Sequence, residues 1–210
     1  INFKKLVNDA IINNIDRKKN LYLTIYLKYH FNIINHSNDF NLVKKHLNEI
    51  ENNYINRLDL KINPNGALEI GLLGWKYNTK VNFIDFDKAK EYLTKAVKYE
   101  KRNHYKKHWI NNLGVVYDQG YSDDITNKNH IKQNNKIAFD LYKQSASLGL
   151  HYSHHNIAKF YMLGLGGVKQ NYDKAIKHYK FARISSNGSN EFIDLAILYK
   201  KKRVPKNLDE

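Results

Sequence analysis

The sequence repeats one short pattern at intervals of about forty residues. In each copy an apolar residue is followed at once by a small residue and, three positions further on, by a tyrosine. The copies are Leu73, Gly74 and Tyr77, then Leu113, Gly114 and Tyr117, then Ile157, Ala158 and Tyr161, and more faintly Leu195, Ala196 and Tyr199. This period predicts an all-α fold of stacked helix pairs, because one helix hairpin cannot bury its apolar face alone.

A second helical pattern, centred on small residues, follows each of the first three copies. Its members are Ala89 and Ala96, then Ala138, Tyr142 and Ser145, then Ala175, Tyr179 and Ala182. A glycine inside a helix, such as Gly74 or Gly114, costs about 1 kcal/mol relative to alanine. We therefore expect these two glycines to mark points where another helix approaches closely, and the tyrosines to fill the gaps between hairpins.

The connections between the paired helices show turn chemistry. Gly164, Gly166 and Gly167 are predicted to close the first helix of the third unit with positive φ, and the segment from Asn171 to Asp173 is placed to start the next helix. In the second unit, residues 121–135 add polar residues, among them Asp123 and Asp124. We expect this insertion to form a loop at one edge of the stack, either as a partner contact or as a solvated spacer.

A degenerate copy of the unit precedes the first clear one. Residues Asp39, Phe40, Val43, Leu47 and Ile50 align, forty-six positions earlier, with Asp85, Phe86, Ala89, Leu93 and Ala96. Leu27 and Phe31 fall in the first helix of this degenerate copy. We predict one α-repeat domain over residues 1–210: a capping helix (1–18), the degenerate repeat (19–64), three repeats (65–104, 105–149 with the insertion 121–135, and 150–188) and a C-terminal capping helix with a tail (189–210).

The pattern resembles the Sel-one-like repeat, a relative of the tetratricopeptide repeat with longer units. That family has a Leu-Gly-x-x-Tyr core, a glycine-rich turn and a second helix with Asp-x-x-Lys-Ala-x-x-x-Tyr before a final alanine. The third unit matches best, through Tyr161, Gly164, Gly166, Gly167, Val168, Asp173, Lys174, Ala175, Tyr179 and Ala182. The first two units keep the core but lose the glycine turn. The resemblance covers residues 65 to 200 and is weak before them.

The resemblance implies a right-handed α-solenoid of stacked antiparallel helix hairpins that binds other proteins without catalysis or a cofactor. Bacterial members of the family include adaptors, secreted host-contact proteins and immunity proteins that neutralise antibacterial effectors such as secreted lipases. A small number of repeats with eroded turns favours an immunity protein specialised for one toxin. A periplasmic or host-facing adaptor and a basic nucleic-acid-binding protein are the alternatives.

The chain is strongly basic, with 35 lysines and arginines against 20 acids and a net charge of +15. Lysines cluster between the first two clear repeats and along the predicted helix that carries Lys174, Lys177 and Lys180. Such a field speeds encounter with an acidic protein, although the same lysines can simply solvate an outer face. Nucleic acid is disfavoured as a partner because most tyrosines occupy core positions, where they cannot stack on bases.

In tetratricopeptide relatives the first helices line the concave face, on positions offset from the buried core. The corresponding residues here are Leu68, Gly71, Trp75, Asn78, His108, Asn111, Val115, Asp118, Tyr152, His155, Lys159 and Met162. We predict that they bind the partner. Trp75 and Tyr152 are candidate anchors, since large aromatic side chains dominate interfaces, although Trp75 could instead pack against the N-terminal cap.

Other site classes find little support in the sequence. There is no cysteine, which excludes thiolate nucleophiles and cysteine zinc sites. His151 and His155 share a helical face but lack the glutamate of the zinc protease motif, and the glycines near Gly164 lack Walker spacing, so we expect no metal and no phosphate loop. No transmembrane segment is predicted. Because the sequence begins at Ile1, we expect residues removed upstream, a truncation or an export signal, which favours the periplasm or cell envelope over the cytoplasm.

Overall fold

A computed structural model describes residues 17–53, 70–75, 85–119 and 134–183, and these are helical with no strand among them. Residues 70–75 are helical, and the longer helices are α1 (Arg17–His36), α2 (Phe40–Asn53), α3 (Phe86–Tyr99), α4 (Asn103–Gln119), α5 (Asn135–Ser147), α6 (His151–Leu163) and α7 (Tyr172–Arg183). The predicted all-α repeat fold is confirmed. The chain divides into two compact units, Ile1–Lys101 and Arg102–Glu210, which are described separately.

In the first unit, α1 and α2 pack together as a hairpin that begins two residues before the range predicted for the degenerate repeat, 19–64. The side chains of Ile34, Val43, Leu47 and Ile50 are each at most 1% exposed, so the two helices share one apolar core. The helix α2 begins at a cap, since the backbone N–H of Leu42 donates to Asp39 Oδ1 at 3.1 Å.

The helical residues 70–75 pack closely against α3 at Gly74. A Cβ at this position would lie 2.9 Å from Leu93 Cγ, 3.0 Å from Leu93 N and 3.2 Å from Ala89 O. The predicted crossing point is therefore confirmed, because any larger residue would meet the backbone of α3. The N-terminus of α3 is capped by Asp85, whose Oδ1 accepts from the N–H of Lys88 at 3.0 Å.

In the second unit, the helices α4 to α7 pack one against the next in chain order. Gly114 on α4 is the second predicted crossing point, and here the buried ring of Tyr142 fills the space beside it. Ala138, Ile157 and Phe160 extend this core, and a second cluster forms around Ala158, Ala175 and Tyr179. The small residues that define the repeat thus lie in the helix contacts, as predicted.

The turn between α6 and α7 has the geometry that its glycines predict. Gly164, Gly166 and Gly167 have φ of +70°, +67° and +83°. Residues with a side chain rarely adopt these values, whereas glycine does so without penalty. Gly164 ends α6, and Asn171 caps α7 by accepting the N–H of Lys174 at 2.9 Å. Both turn predictions are confirmed.

Several sequence predictions fall outside the described residues. These are most of the predicted N-terminal capping helix, Tyr77, residues 121–133 of the predicted insertion, and the fourth copy with the C-terminal cap. The end of the insertion is described: Asn134 caps α5, so the helix already begins at Asn135. The single-domain arrangement and the handedness of the stack stay predictions. Within the described ranges, no helix is both long enough and apolar enough to span a membrane.

Candidate functional site

A buried polar network links the first helices of successive repeats, α4 and α6. The side-chain oxygen Asn111 Oδ1 accepts from Asn156 Nδ2 at 3.1 Å and lies 3.0 Å from Ser153 Oγ, which is also 2.8 Å from Ser145 Oγ. The hydroxyl of Ser145 in turn donates to the carbonyl of Lys107 at 2.7 Å. Because buried polar groups need partners, this network fixes α4, α5 and α6 in one register.

Two of the predicted partner-binding residues are buried. Asn111 is only 4% exposed, and Gly71 is buried in the first unit. Neither position therefore offers an exposed side chain to a partner. Leu68 and Asn78 lie outside the described residues.

The other predicted positions of the second unit reach the surface of α4 and α6. Tyr152 is 55% exposed, and His108 and Lys159 are exposed as well. Val115, Asp118, His155 and Met162 are partly buried. We call these seven residues the α4–α6 wall. In the first unit Trp75 is 37% exposed, so the prediction that it presents its ring to a partner remains open to test.

Two side-chain arrangements give the α4–α6 wall its chemistry. The rings of Tyr152 and His155 are stacked, with centroids 5.9 Å apart and planes 3° from parallel. Tyr142 donates its hydroxyl to Asp118 Oδ2 at 3.3 Å. Burial raises the pKa of Asp118, while this hydrogen bond and the nearby charge of Lys159 act in the opposite direction. The wall thus combines one exposed aromatic ring, stacked on His155, with the interacting side chains of Asp118 and Lys159.

Two histidine pairs were not anticipated from the sequence. His30 Nδ1 and His46 Nδ1 are 2.9 Å apart between α1 and α2, and His154 Nδ1 and His178 Nδ1 are 2.9 Å apart between α6 and α7. Burial and the neighbouring histidine lower the pKa of His30 to about 4. Burial, His154 and two lysines lower the pKa of His178 to about 4. Both pairs are therefore uncharged at neutral pH.

A buried acid in the first unit was also missed. Glu51, which is 8% exposed, accepts from Lys88 Nζ through Oε2 and from the Tyr92 hydroxyl through Oε1, each at 2.8 Å. This carboxylate joins α2 to α3 with a charged and a neutral donor. Burial and the hydrogen bond to Glu51 raise the pKa of Tyr92, so this phenol stays protonated and keeps donating.

The dense histidine group of α6 separates in the structure. His154 faces His178, whereas the ring of His155 lies 5.2 Å from that of Tyr179 and stacks on Tyr152. No cluster of three or more potential metal ligands is found in the part of the chain that the structure describes. The α6 histidines are thus divided between two neighbourhoods.

Comparison with known proteins identifies the repeat. Residues 79–98, 110–150 and 151–183 match the model of the Sel1 repeat, the Sel-one-like repeat discussed above. Eleven solved chains also match, among them the crystal structure of a Sel1 repeat protein from Oxalobacter formigenes. The two sequences are 18% identical, and their alignment covers 66% of this chain and 96% of the Oxalobacter formigenes chain, with a TM-score of 0.46. No curated protein matches the chain.

Proposed function

From the three Sel1 repeats of this chain, which indicate a protein–protein interaction module, we propose a binding function without catalysis. The chain binds one protein partner through the α4–α6 wall. The observation that carries this proposal is the exposed Tyr152 ring, stacked on His155 and rising from helices locked by the Asn111 network. A rigid aromatic side chain loses little entropy on binding and makes an effective anchor.

The surroundings of Tyr152 fit a protein partner better than a nucleic acid. The repeat tyrosines Tyr142 and Tyr179 are fully buried, so neither ring is free to stack on a base. In the wall, the charges of Asp118 and Lys159 interact, and a carboxylate on a binding surface repels phosphates. Mixed charge around an aromatic ring is instead typical of protein interfaces.

The more specific function proposed is that of an immunity protein, which binds and neutralises a cognate antibacterial toxin, for example a secreted lipase. The support is the sequence resemblance together with the net charge of +15, which would speed capture of a toxin with an acidic surface. A periplasmic or host-facing adaptor would use the same wall for a different partner.

The test begins with the product of the adjacent open reading frame, co-expressed with this chain. An immunity protein should protect the cell from that product and co-purify with it stoichiometrically at moderate salt. The double variant Tyr152→Ala/Lys159→Glu should lose both effects. The matched control Ile137→Ala/Lys136→Glu changes an exposed apolar residue and an exposed lysine on α5, and should keep both.

The outcomes separate the levels of the proposal. A stoichiometric complex without protection would contradict the immunity function and leave the adaptor. Complex formation that survives in the Tyr152→Ala/Lys159→Glu variant would show that the α4–α6 wall is not the binding surface. A purified chain with hydrolytic activity of its own would contradict the non-catalytic assignment.

A further inference from the structure

Three ring contacts join four side chains of the α6–α7 hairpin in one chain. The ring of Phe181 lies 5.3 Å from that of His154, His154 lies 5.2 Å from His178, and His178 is stacked on Tyr161 at 5.6 Å. These four rings and the two lysines beside them, Lys174 and Lys177, form what we call the α6–α7 seam. The α6–α7 seam shares no residue with the α4–α6 wall.

The α6–α7 seam combines apolar exposure with positive charge. Phe181 is 41% exposed, although it is aromatic and belongs to a hairpin with a well-filled core. Lys174 and Lys177 are exposed, and Lys174 Nζ lies 5.2 Å from the centroid of the Tyr161 ring. A cation held over an aromatic face is positioned at modest cost for an incoming anion.

The charged groups beside the His154–His178 pair are mainly lysines. Burial is the largest cause of the lowered pKa of His178, followed by His154, Lys177 and Lys174, and burial followed by His151 lowers that of His154. Asp173 precedes Lys174 and lies one helical turn before Lys177, so its carboxylate offsets part of this positive charge and leaves the lysines in excess. At the other pair, Glu49 raises the pKa of both His30 and His46. A net positive charge on the seam therefore remains for a ligand to neutralise.

We propose that the α6–α7 seam binds a carboxylate-bearing segment of a partner protein, in which acidic side chains pair with Lys174 and Lys177 and an apolar side chain covers Phe181. The inference rests on the proposed function, because it names the chemistry of the partner that a protein-binding module would take. Charge complementarity selects this occupant: the lysines attract acids, and the exposed ring favours an amphipathic peptide over a bare anion.

The histidine pair makes this binding sensitive to pH. At 2.9 Å between the two Nδ1 atoms, one ring donates and the other accepts, so a single extra proton on the donor ring leaves the hydrogen bond intact. A bound carboxylate offsets the positive charge of Lys174 and Lys177 and so favours that proton. Binding then takes up a proton as the pH approaches the pKa of His178, about 4 in the free chain, so the affinity rises as the pH falls from 7 to 5.

The experiment uses a short fluorescein-labelled peptide of glutamates interspersed with phenylalanine, titrated with the full chain and followed by fluorescence anisotropy. The variant Lys174→Ala/Lys177→Ala should weaken binding about tenfold at low salt. The control Lys101→Ala/Lys136→Ala removes the same charge from exposed positions elsewhere and should change affinity less than about twofold. Circular dichroism verifies that both variants are folded.

Equal weakening in the two lysine pairs would overturn the inference, since it would mean that the net charge of the chain, and not the seam, attracts the peptide. An oligothymidylate of equal charge is compared with the unlabelled peptide as a competitor. If it displaces the labelled peptide at a lower concentration than the unlabelled peptide does, the seam prefers phosphate to carboxylate and the inference is overturned. For the histidine pair, His178→Gln should flatten the pH dependence of the affinity. A pH-independent affinity in the unmodified chain would contradict the coupling.

The same peptide separates this inference from the proposed function. The variant Tyr152→Ala/Lys159→Glu should bind the peptide as the unmodified chain does, because neither residue belongs to the α6–α7 seam. If this variant no longer binds the cognate partner but still binds the peptide, the partner contact and the peptide contact lie on different surfaces. Loss of the peptide in this variant would contradict the assignment to the seam.

Discussion

The ring of Tyr142 occupies the space that a side chain at Gly114 would need: a Cβ there would lie 2.8 Å from Tyr142 Cε1 and 2.9 Å from Cδ1. Tyr142 is fully buried and donates to Asp118, so the ring has no room to withdraw. The repeat thus uses a helix residue of poor intrinsic propensity to admit a large aromatic ring from the next helix.

We predict that Gly114→Ala destabilises the chain by about 1–2 kcal/mol. Alanine adds about 1 kcal/mol of helix propensity, but forcing a methyl group against the buried ring costs more than this gain. The free energy of unfolding, measured by urea titration with circular dichroism, checks the prediction. Thr94→Ala, at an exposed position inside α3, is the control and should be neutral or slightly stabilising. A stabilised Gly114→Ala variant would contradict close packing at this crossing.

Two neighbouring glycines in the α6–α7 turn provide a matched pair. Both have positive φ, but a Cβ at Gly166 would lie 2.8 Å from Asn135 O and 2.9 Å from the Phe160 ring, whereas nothing lies within 4 Å at Gly167. We expect Gly167→Ala to cost about 1 kcal/mol from backbone strain alone. Gly166→Ala should cost about 2–4 kcal/mol, because the overlap adds to the strain. Thermal unfolding of the two variants checks this difference. Equal midpoints for Gly166→Ala and Gly167→Ala would contradict the overlap at Gly166.

The repeat core was predictable because its small residues recur with a fixed period. Ala138, Ala158 and Ala175 are all fully buried, as the pattern requires. Asn111 was expected on the open face from its offset alone. It is buried because Ser153 and Asn156, forty-two and forty-five positions later, bring a hydroxyl and an amide to its side chain. The position of a residue within its own helix does not show which side chains of a later repeat it will contact.

The histidine pairs and the buried Glu51 were missed for a related reason. His30 and His46 are sixteen positions apart, while Glu51 and Lys88 are thirty-seven apart, and neither spacing matches the period of the repeat. Each pair forms only once two helices cross at a particular angle. Periodicity predicts which face of a helix is buried, but not which polar side chains meet across the contact.

We predict that stability falls as the pH falls below 6.5, partly through His30. Its pKa is about 4 in the folded chain against 6.5 ordinarily, because burial and His46 disfavour the charge more than Glu49 favours it. Between these values the unfolded chain binds more protons, so lowering the pH favours unfolding. The midpoint of urea unfolding at pH 7.5 and pH 5 measures this loss.

Substitution of His30 should reduce that pH dependence. In His30→Gln the difference between the midpoints at pH 7.5 and pH 5 should shrink. The control His36→Gln alters an exposed histidine at the end of α1 and should leave the difference unchanged. If both variants lose stability to the same extent as the unmodified chain on acidification, His30 does not carry the effect.

The final prediction concerns Tyr152, whose ring, not its hydroxyl, should anchor the partner. Tyr152→Phe keeps the stack on His155 and should change the dissociation constant less than about threefold, whereas Tyr152→Ala should raise it about thirtyfold, a loss of about 2 kcal/mol. Isothermal titration calorimetry with the captured partner measures both values. Ile137→Ala removes another exposed apolar side chain, on α5, and should have little effect. A comparable loss in Ile137→Ala, or in Tyr152→Phe, would show that binding does not depend on a ring braced at this point of the α4–α6 wall.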